Sequence, residues 1–292
     1  LCMGILNSMG HFLVPALGPC ALNVALISSA LVGYFSGGSV AVALAWGVIA
    51  AGVLQWSMQQ PAMRALGFRW RGEWSWSHPG VGRVGRLMLP TVLGAAVYQI
   101  NILLSTLLAS FLPTGSVSWL YYADRLVQFP LGVFGVAVST AALPSLARLA
   151  AAGRHDEFKE ALDGSLGLTT FISLPSAAGL IALAHPIIEL LFLRGAFTEH
   201  DVSATVLALA AYGAGLPAVA LVRPYVSAFY ARENTRVPVI TACLSMLCNV
   251  TLGYGLMQHH GHVGLAVAVS VAGYLNVAVL AWLTRRDLGG FP

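Results

Sequence analysis

Runs of about 20 or more apolar residues recur along this chain without the period-two alternation of a lipid-facing strand. A helix of that length crosses a hydrocarbon core of roughly 30 Å with every backbone hydrogen bond made internally, which an open sheet cannot do. A short apolar stub, residues 1–10, precedes eight such runs, at about 14–35, 40–58, 87–112, 117–146, 161–192, 202–230, 237–257 and 263–283. Of the 292 residues, 58% are hydrophobic and 9% charged, far below the roughly 25% charged of a soluble domain. The expected fold is an all-α polytopic membrane helical bundle. The stub reads as the end of a helix that starts upstream, so the chain is expected to be a fragment.

The basic residues give an independent test of the eight runs, because short loops rich in Lys and Arg stay on the cytoplasmic side. They cluster in every second connection: Arg64, Arg69, Arg71, Arg83 and Arg86; then Arg148, Arg154 and Lys159; then Arg232 and Arg236; then Arg285 and Arg286. The intervening connections, near Gly37, Thr114, 197–201 and 259–262, carry only Arg194. The net charge of +4 therefore reports topology in a cytoplasmic membrane, not nucleic-acid binding, and the basic loops would meet anionic membrane lipids.

Catalysis, cofactors and metals find little support. The sequence has no HExxH, GxSxG or GxxxxGK[ST] motif. Cys2, Cys20, Cys243 and Cys248 lie in or beside apolar runs with no CxxC spacing and read as packing residues. His259, His260 and His262 are expected in a solvated outward turn, where a zinc site would lack a second group of ligands. Asp156, Glu157, Lys159 and Glu160 suit the start of a cytoplasmic helix, with acids at its positive end. The chain is not expected to be an enzyme.

Asp124 and Arg125 sit near the middle of the fourth full run. A charge at that depth costs several kcal/mol unless it faces water or a partner, and so marks a transport site by default. Arg125 lies about nine residues into its helix, or roughly 13 Å at 1.5 Å per residue. Its planar fork suits phosphate oxygens. Two readings are open: a substrate contact, or an internal pair with Asp124 or another helix. Neighbours on a helix point about 100° apart, so Asp124 and Arg125 do not cancel by simple contact; Asp124 could instead set a helix interface or exchange a proton. Arg223, before Pro224, is the second deep cation, open to a cavity-lining role or to snorkelling. Tyr121, Tyr122 and Tyr225 offer hydroxyls, although interfacial anchoring is the commoner use of tyrosine in such segments.

Prolines recur inside the runs, at 130 and 144, at 175 and 186, and at 217 and 224. Each removes a backbone donor, giving either a structural bend or a broken helix of the kind alternating-access transporters use. Asn7–Pro15 and Tyr230–Pro238 each leave an apolar helix through a polar turn and re-enter at Val-Pro. That is a slight match, open to chance or to two lobes built from one unit. A linker expected at 61–86, with Trp70, Trp74 and Trp76, suits the headgroup region and separates residues 1–60 from 87–285.

The run GSVSWLYYADRLVQFPLGVFGVAVSTAALP at 115–144 closely resembles the eighth helix of the MurJ (MviN) lipid II flippases, of the multidrug/oligosaccharidyl-lipid/polysaccharide exporter superfamily. GILNS at 4–8, HPGV at 78–81, LFLRGAFT at 191–198, AFYAR at 228–232 and Thr235-Arg236 agree with it in order along the chain. The resemblance implies two pseudo-repeated six-helix lobes around a central cavity, commonly followed by two further helices. Residues 1–60 would hold the end of the fourth helix with the fifth and sixth, so the first lobe is incomplete, and 87–285 the seventh to twelfth.

By the same resemblance, the chain would move lipid II across the bacterial cytoplasmic membrane, with cell-wall synthesis enzymes as further partners. Arg125 matches an arginine that the family is thought to use in its cavity. Gln128 stands where relatives often carry a glutamate, which puts a gate built on that pair in doubt. Relatives often place Lys where Arg223 stands. Some members appear in the family's pattern with carboxylates and an asparagine for sodium; here Ser105, near Asn101, stands where Asp is common, Asn249 is kept, and Gly253 takes a candidate acidic position. A hard cation wants several oxygens and usually an anion, so no tight sodium site is expected. Export of another lipid-linked glycan or an amphipathic drug, or a non-transporting scaffold for cell-envelope synthesis, are the competing expectations.

Overall fold

The computed structural model describes residues 2–9, 11, 13–68 and 96–288. The chain divides into two compact units, Leu1–Val81 and Gly82–Pro292. The Trp70, Trp74 and Trp76 cluster, HPGV at 78–81 and most of the expected linker lie outside the described residues.

In the first unit, α1 (Cys2–Ser8) packs on α4 (Val40–Ala65), and α2 (Leu13–Ala16) leads into α3 (Gly18–Phe35), which pairs with α4. Two glycines let the backbones of α3 and α4 approach. A Cβ built on Gly33 would fall 2.7 Å from the Ala43 Cβ, and one on Gly47 would strike the Ser29 side chain. Small residues at the contact are what apolar helices use when the surrounding solvent is itself apolar. Leu6, Ala51 and Met63 are fully buried, whereas Val24, Ile27, Leu31, Trp46 and Val53 point outward, a surface suited to hydrocarbon.

The second unit is organised around α10 (Glu199–Ala231), which packs on α6 (Ser116–Pro130), α7 (Val136–Ala151), α8 (His155–Ala182), α9 (Ala184–Phe192) and α11 (Arg236–Leu288). Helix α5 (Ala96–Ser110) covers the later, described part of the expected 87–112 span. Helix α10 can be central because its buried positions include Ala204, Ala208, Gly213, Gly215, Ala218 and Ala220, which admit neighbours closely. Against α11, Ser270 Oγ donates to the Ala211 carbonyl at 2.7 Å and Tyr274 Oη to the Ala214 carbonyl at 2.8 Å. A Cβ on Gly215 would lie 2.8 Å from the Ser270 Cα. Two apolar clusters form along the bundle. One joins Leu120, Ala123, Val127, Ile188, Leu209 and Leu265, and the other joins Leu146, Phe158, Leu162, Tyr225, Phe229 and Leu280.

The prolines act unequally. α10 runs unbroken through Pro217 and Pro224, and α8 through Pro175. Pro130 is followed by a π-helical segment, Leu131–Gly135, that joins α6 to α7, the wider turn expected where an i→i−4 bond cannot form. The expected 161–192 span starts earlier, at His155, and breaks at Leu183. Pro186 then sits in the first turn of α9, where its missing donor costs nothing. The two last expected spans are two helices within α11, separated at Gly261, whose φ of 57° and ψ of −136° are non-helical and let the chain fold back, so that Ser245 Oγ donates to the Ala272 carbonyl at 2.9 Å.

Candidate functional site

Helix α6 carries Asp124, Arg125 and Gln128, and its rotation about its own axis decides what they face. Ser116, Trp119, Leu120, Ala123 and Val127 are buried, at the three- and four-residue spacing of one helical face. Trp119 pins that face: its Nε1–H donates to Asp201 Oδ1 at 2.8 Å. Asp201 is itself held in a capping box with Thr198 at the start of α10, where the Thr198 backbone N–H and hydroxyl each donate to Oδ2 at 2.7 Å. Gly115 makes room for this arrangement. Its φ of 105° is left-handed, and a Cβ there would sit 2.6 Å from the Trp119 ring.

With that face fixed, Tyr121 and Arg125 turn to the open side of α6 and both are exposed. The Arg125 guanidinium carbon lies 4.9 Å from the centre of the Tyr121 ring, a cation–π contact one turn back along the helix. Asp124, half-buried, accepts from Gln128 Nε2 at 2.6 Å. Among the described residues, ion pairs within 4.0 Å join Arg154 to Glu157, His185 to Glu189 and Arg232 to Asp287, and none involves Arg125. Of the two readings of Arg125, the internal pair with Asp124 is therefore not formed. Arg125 is exposed, and its guanidinium makes no ion pair among the described residues.

Arg223 is exposed on α10 and runs beside the π segment; a Cβ built on Gly135 would lie 3.5 Å from its Cδ and 3.6 Å from its Nε. Gly135 is ten residues beyond Arg125 on the same rod, or about 15 Å along a helix axis. Pro224 and Tyr225 beside Arg223 are buried, so the chain turns the arginine outward while its neighbours pack.

Asn101, Ser105 and Asn249, far apart in sequence, come together between α5 and α11. Asn249 Nδ2 donates to Asn101 Oδ1 at 2.8 Å and to Ser105 Oγ at 3.0 Å, and Asn249 is 5% exposed. Both amide hydrogens thus point into the cluster where a cation would need acceptors, and the three side chains are neutral. Gly253, one turn on, packs against Leu265 and Leu108. Among the described residues no group of three His, Cys, Asp or Glu could hold a metal ion.

Two features have no counterpart in the sequence reading. His262 is not simply solvated: its Nε2 lies 2.9 Å from the Ala204 carbonyl and its ring stands edge-on to Trp119 at 4.9 Å, while His259 and His260 are exposed. The Trp119–Asp201 tie is the other; the Thr-x-x-Asp pattern at 198–201 is a capping signal that marks Asp201, but nothing in sequence marks its indole partner.

The family model described as "Lipid II flippase MurJ" matches residues 1–292. The probable lipid II flippase MurJ of Vibrio cholerae serotype O1 is 40% identical over 278 residues, covering 94% of this chain and 53% of the relative. That of Rhizobium meliloti is 40% identical over 280 residues, covering 95% and 52%. The chain spans about half the length of the curated relatives it matches. An inward-closed structure of the lipid II flippase MurJ superposes with a TM-score of 0.82 at 28% identity, over 98% of this chain and 60% of that one. An inward-facing multidrug resistance MATE family transporter reaches the same TM-score of 0.82 at 15% identity, a likeness of fold alone. With five helices long and apolar enough to cross a membrane among the described residues, this is a multi-pass protein of the bacterial cytoplasmic membrane, and the chain belongs to the MurJ lipid II flippase family.

Proposed function

We propose that the whole protein moves lipid II across the cytoplasmic membrane by alternating access, with Arg125 holding the lipid diphosphate. The observation that carries this reading is the exposure of Arg125 without a carboxylate partner among the described residues, on a helix whose opposite face is locked into the bundle. A guanidinium cannot face lipid tails at that depth without a large penalty, so its open side implies a wet path. A planar fork backed by an aromatic ring is suited to paired, charge-assisted bonds with phosphate oxygens.

Arg223, at the π segment, would supply a second positive charge along the same rod. Asp124 and Gln128, bonded to each other, would set the polar surroundings of Arg125 without neutralising it. Residues 1–60 and 87–285 would belong to two lobes that rock against each other around the substrate. The substrate would leave chemically unchanged, and cell-wall synthesis enzymes would receive it.

In a reconstituted assay on the full-length protein, Arg125→Ala should abolish lipid II movement at an undiminished amount of folded protein. Movement at the parent rate would overturn the assignment.

A further inference from the structure

Arg194 is the one Lys or Arg in the connections that the distribution of those residues places outside the cell. It lines a cleft of about 450 Å³ at the outer end of the second unit, bounded by α6, the end of α9 and the start of α10. Trp119, Tyr122, Phe192, Phe197 and Asp201 line it with Arg194. The volume falls within the roughly 300–1,000 Å³ of small-molecule sites.

The walls combine two chemistries. Tyr122 packs against Phe192 at 4.6 Å and Phe197 at 5.6 Å between ring centres, and all three are half-buried, so each keeps open ring area. Trp119 forms a buried floor, fixed by Asp201. Around these rings stand polar groups with capacity to spare. The Ser118 and Tyr122 hydroxyls make no hydrogen bond among the described residues. The exposed Arg194 donates to the Leu191 carbonyl through one nitrogen, leaving most of its five donors free. Asp201 is an acceptor at the cleft edge.

A ligand that meets this wall presents an apolar face to the rings and a rim of hydroxyls to a donor–acceptor pair. A pyranose does both: its C–H face covers aromatic carbon while its hydroxyls accept from Arg194 and donate to Asp201. A simple anion would leave the rings unused and meet the Asp201 charge. A hydrocarbon chain would leave the free donors of Arg194 unused. We propose that this cleft is an outward docking site for an uncharged sugar ring, the place where the glycan head of the cargo rests on the outer side. This rests on the reading of the protein as a carrier of a lipid-linked glycan.

The experiment is saturation-transfer NMR on the full-length protein in detergent, with the soluble disaccharide of N-acetylglucosamine as probe. Ring-proton saturation is expected in the parent. Arg194→Ala, an exposed position, should weaken binding by about tenfold, and Tyr122→Phe, which keeps the ring, by about threefold, as loss of one hydrogen bond each. No saturation, or equal saturation in the parent and both variants, overturns the site. Arg125→Ala serves as the separating control. Sugar binding kept while flipping is lost supports both readings. Absent sugar binding with Arg125-dependent flipping removes the cleft alone. Flipping indifferent to Arg125 with sugar binding intact removes the transport role of Arg125 and leaves the cleft standing.

Discussion

Gln128 donates to Asp124 at 2.6 Å, one turn along α6, and so engages the carboxylate nearest in sequence to Arg125. The pairing separates the two charges of the Asp124-Arg125 motif. Asp124 is stabilised by a neutral amide and Arg125 by an aromatic face, and the cation stays available.

If that division matters, removing the amide should redirect Asp124. Gln128→Leu leaves a half-buried carboxylate whose nearest cation is Arg125. Loss of the bond should cost about 1 kcal/mol of stability. Flipping should slow by several-fold as Asp124 competes for the guanidinium, about the effect of one weakened charge-assisted bond. Thermal unfolding and initial flipping rates on the purified variant measure both.

The Trp119–Asp201 bond should be separable from packing. Trp119→Phe keeps a ring in the buried site but loses the N–H donor to Asp201. A loss of about 1 kcal/mol is expected, below the usual range for bonds to charged groups because the carboxylate is only half-buried and keeps its Thr198 donors. In a double-mutant cycle with Asp201→Ala, which removes the acceptor, the two changes should be less than additive. Strict additivity would show that the bond contributes nothing.

Close approach of α10 and α11 predicts a contrast between glycines. Gly215→Ala places a methyl against the Ser270 backbone and should destabilise by about 1–3 kcal/mol. Gly164→Ala in α8 meets nothing within 4 Å and should leave the melting temperature unchanged or slightly raised. Equal effects at the two sites would mean that the α10–α11 contact is looser than described.

The Asn101–Ser105–Asn249 cluster predicts a transport step that does not depend on sodium. Replacing sodium by potassium at constant ionic strength should change the flipping rate by less than about twofold, since this cluster has no anionic side chain among the described residues to hold a hard cation. A loss of about tenfold would require a sodium site with other ligands.

Much of the bundle was legible because hydrocarbon imposes a length and water imposes a charge bias. The apolar runs mark the helices, and Arg64, Arg148, Arg232 and Arg285 mark alternate ends. Helix interruptions were only half legible. Pro130 and Pro224 carry the same local penalty, yet the first leads into a π segment and the second sits in an unbroken helix, because tertiary neighbours decide how a missing donor is accommodated. At the site, the depth of Arg125 and its poor geometry toward Asp124 followed from helical spacing. Its exposure did not, since that depends on the rotation set by Trp119 and Asp201, 82 residues apart. The convergence of Asn101, Ser105 and Asn249 came from family resemblance, as no local pattern links residues 148 apart.

Binding of a polyprenyl diphosphate to the full-length protein reads the hold of the Arg125 fork on the diphosphate without any transport step. The dissociation constant should rise about tenfold or more in Arg125→Ala and be only partly restored in Arg125→Lys, which keeps the charge but not the paired geometry. Parent affinity in Arg125→Ala, with folded protein confirmed by its melting temperature, would show that the fork does not hold the diphosphate.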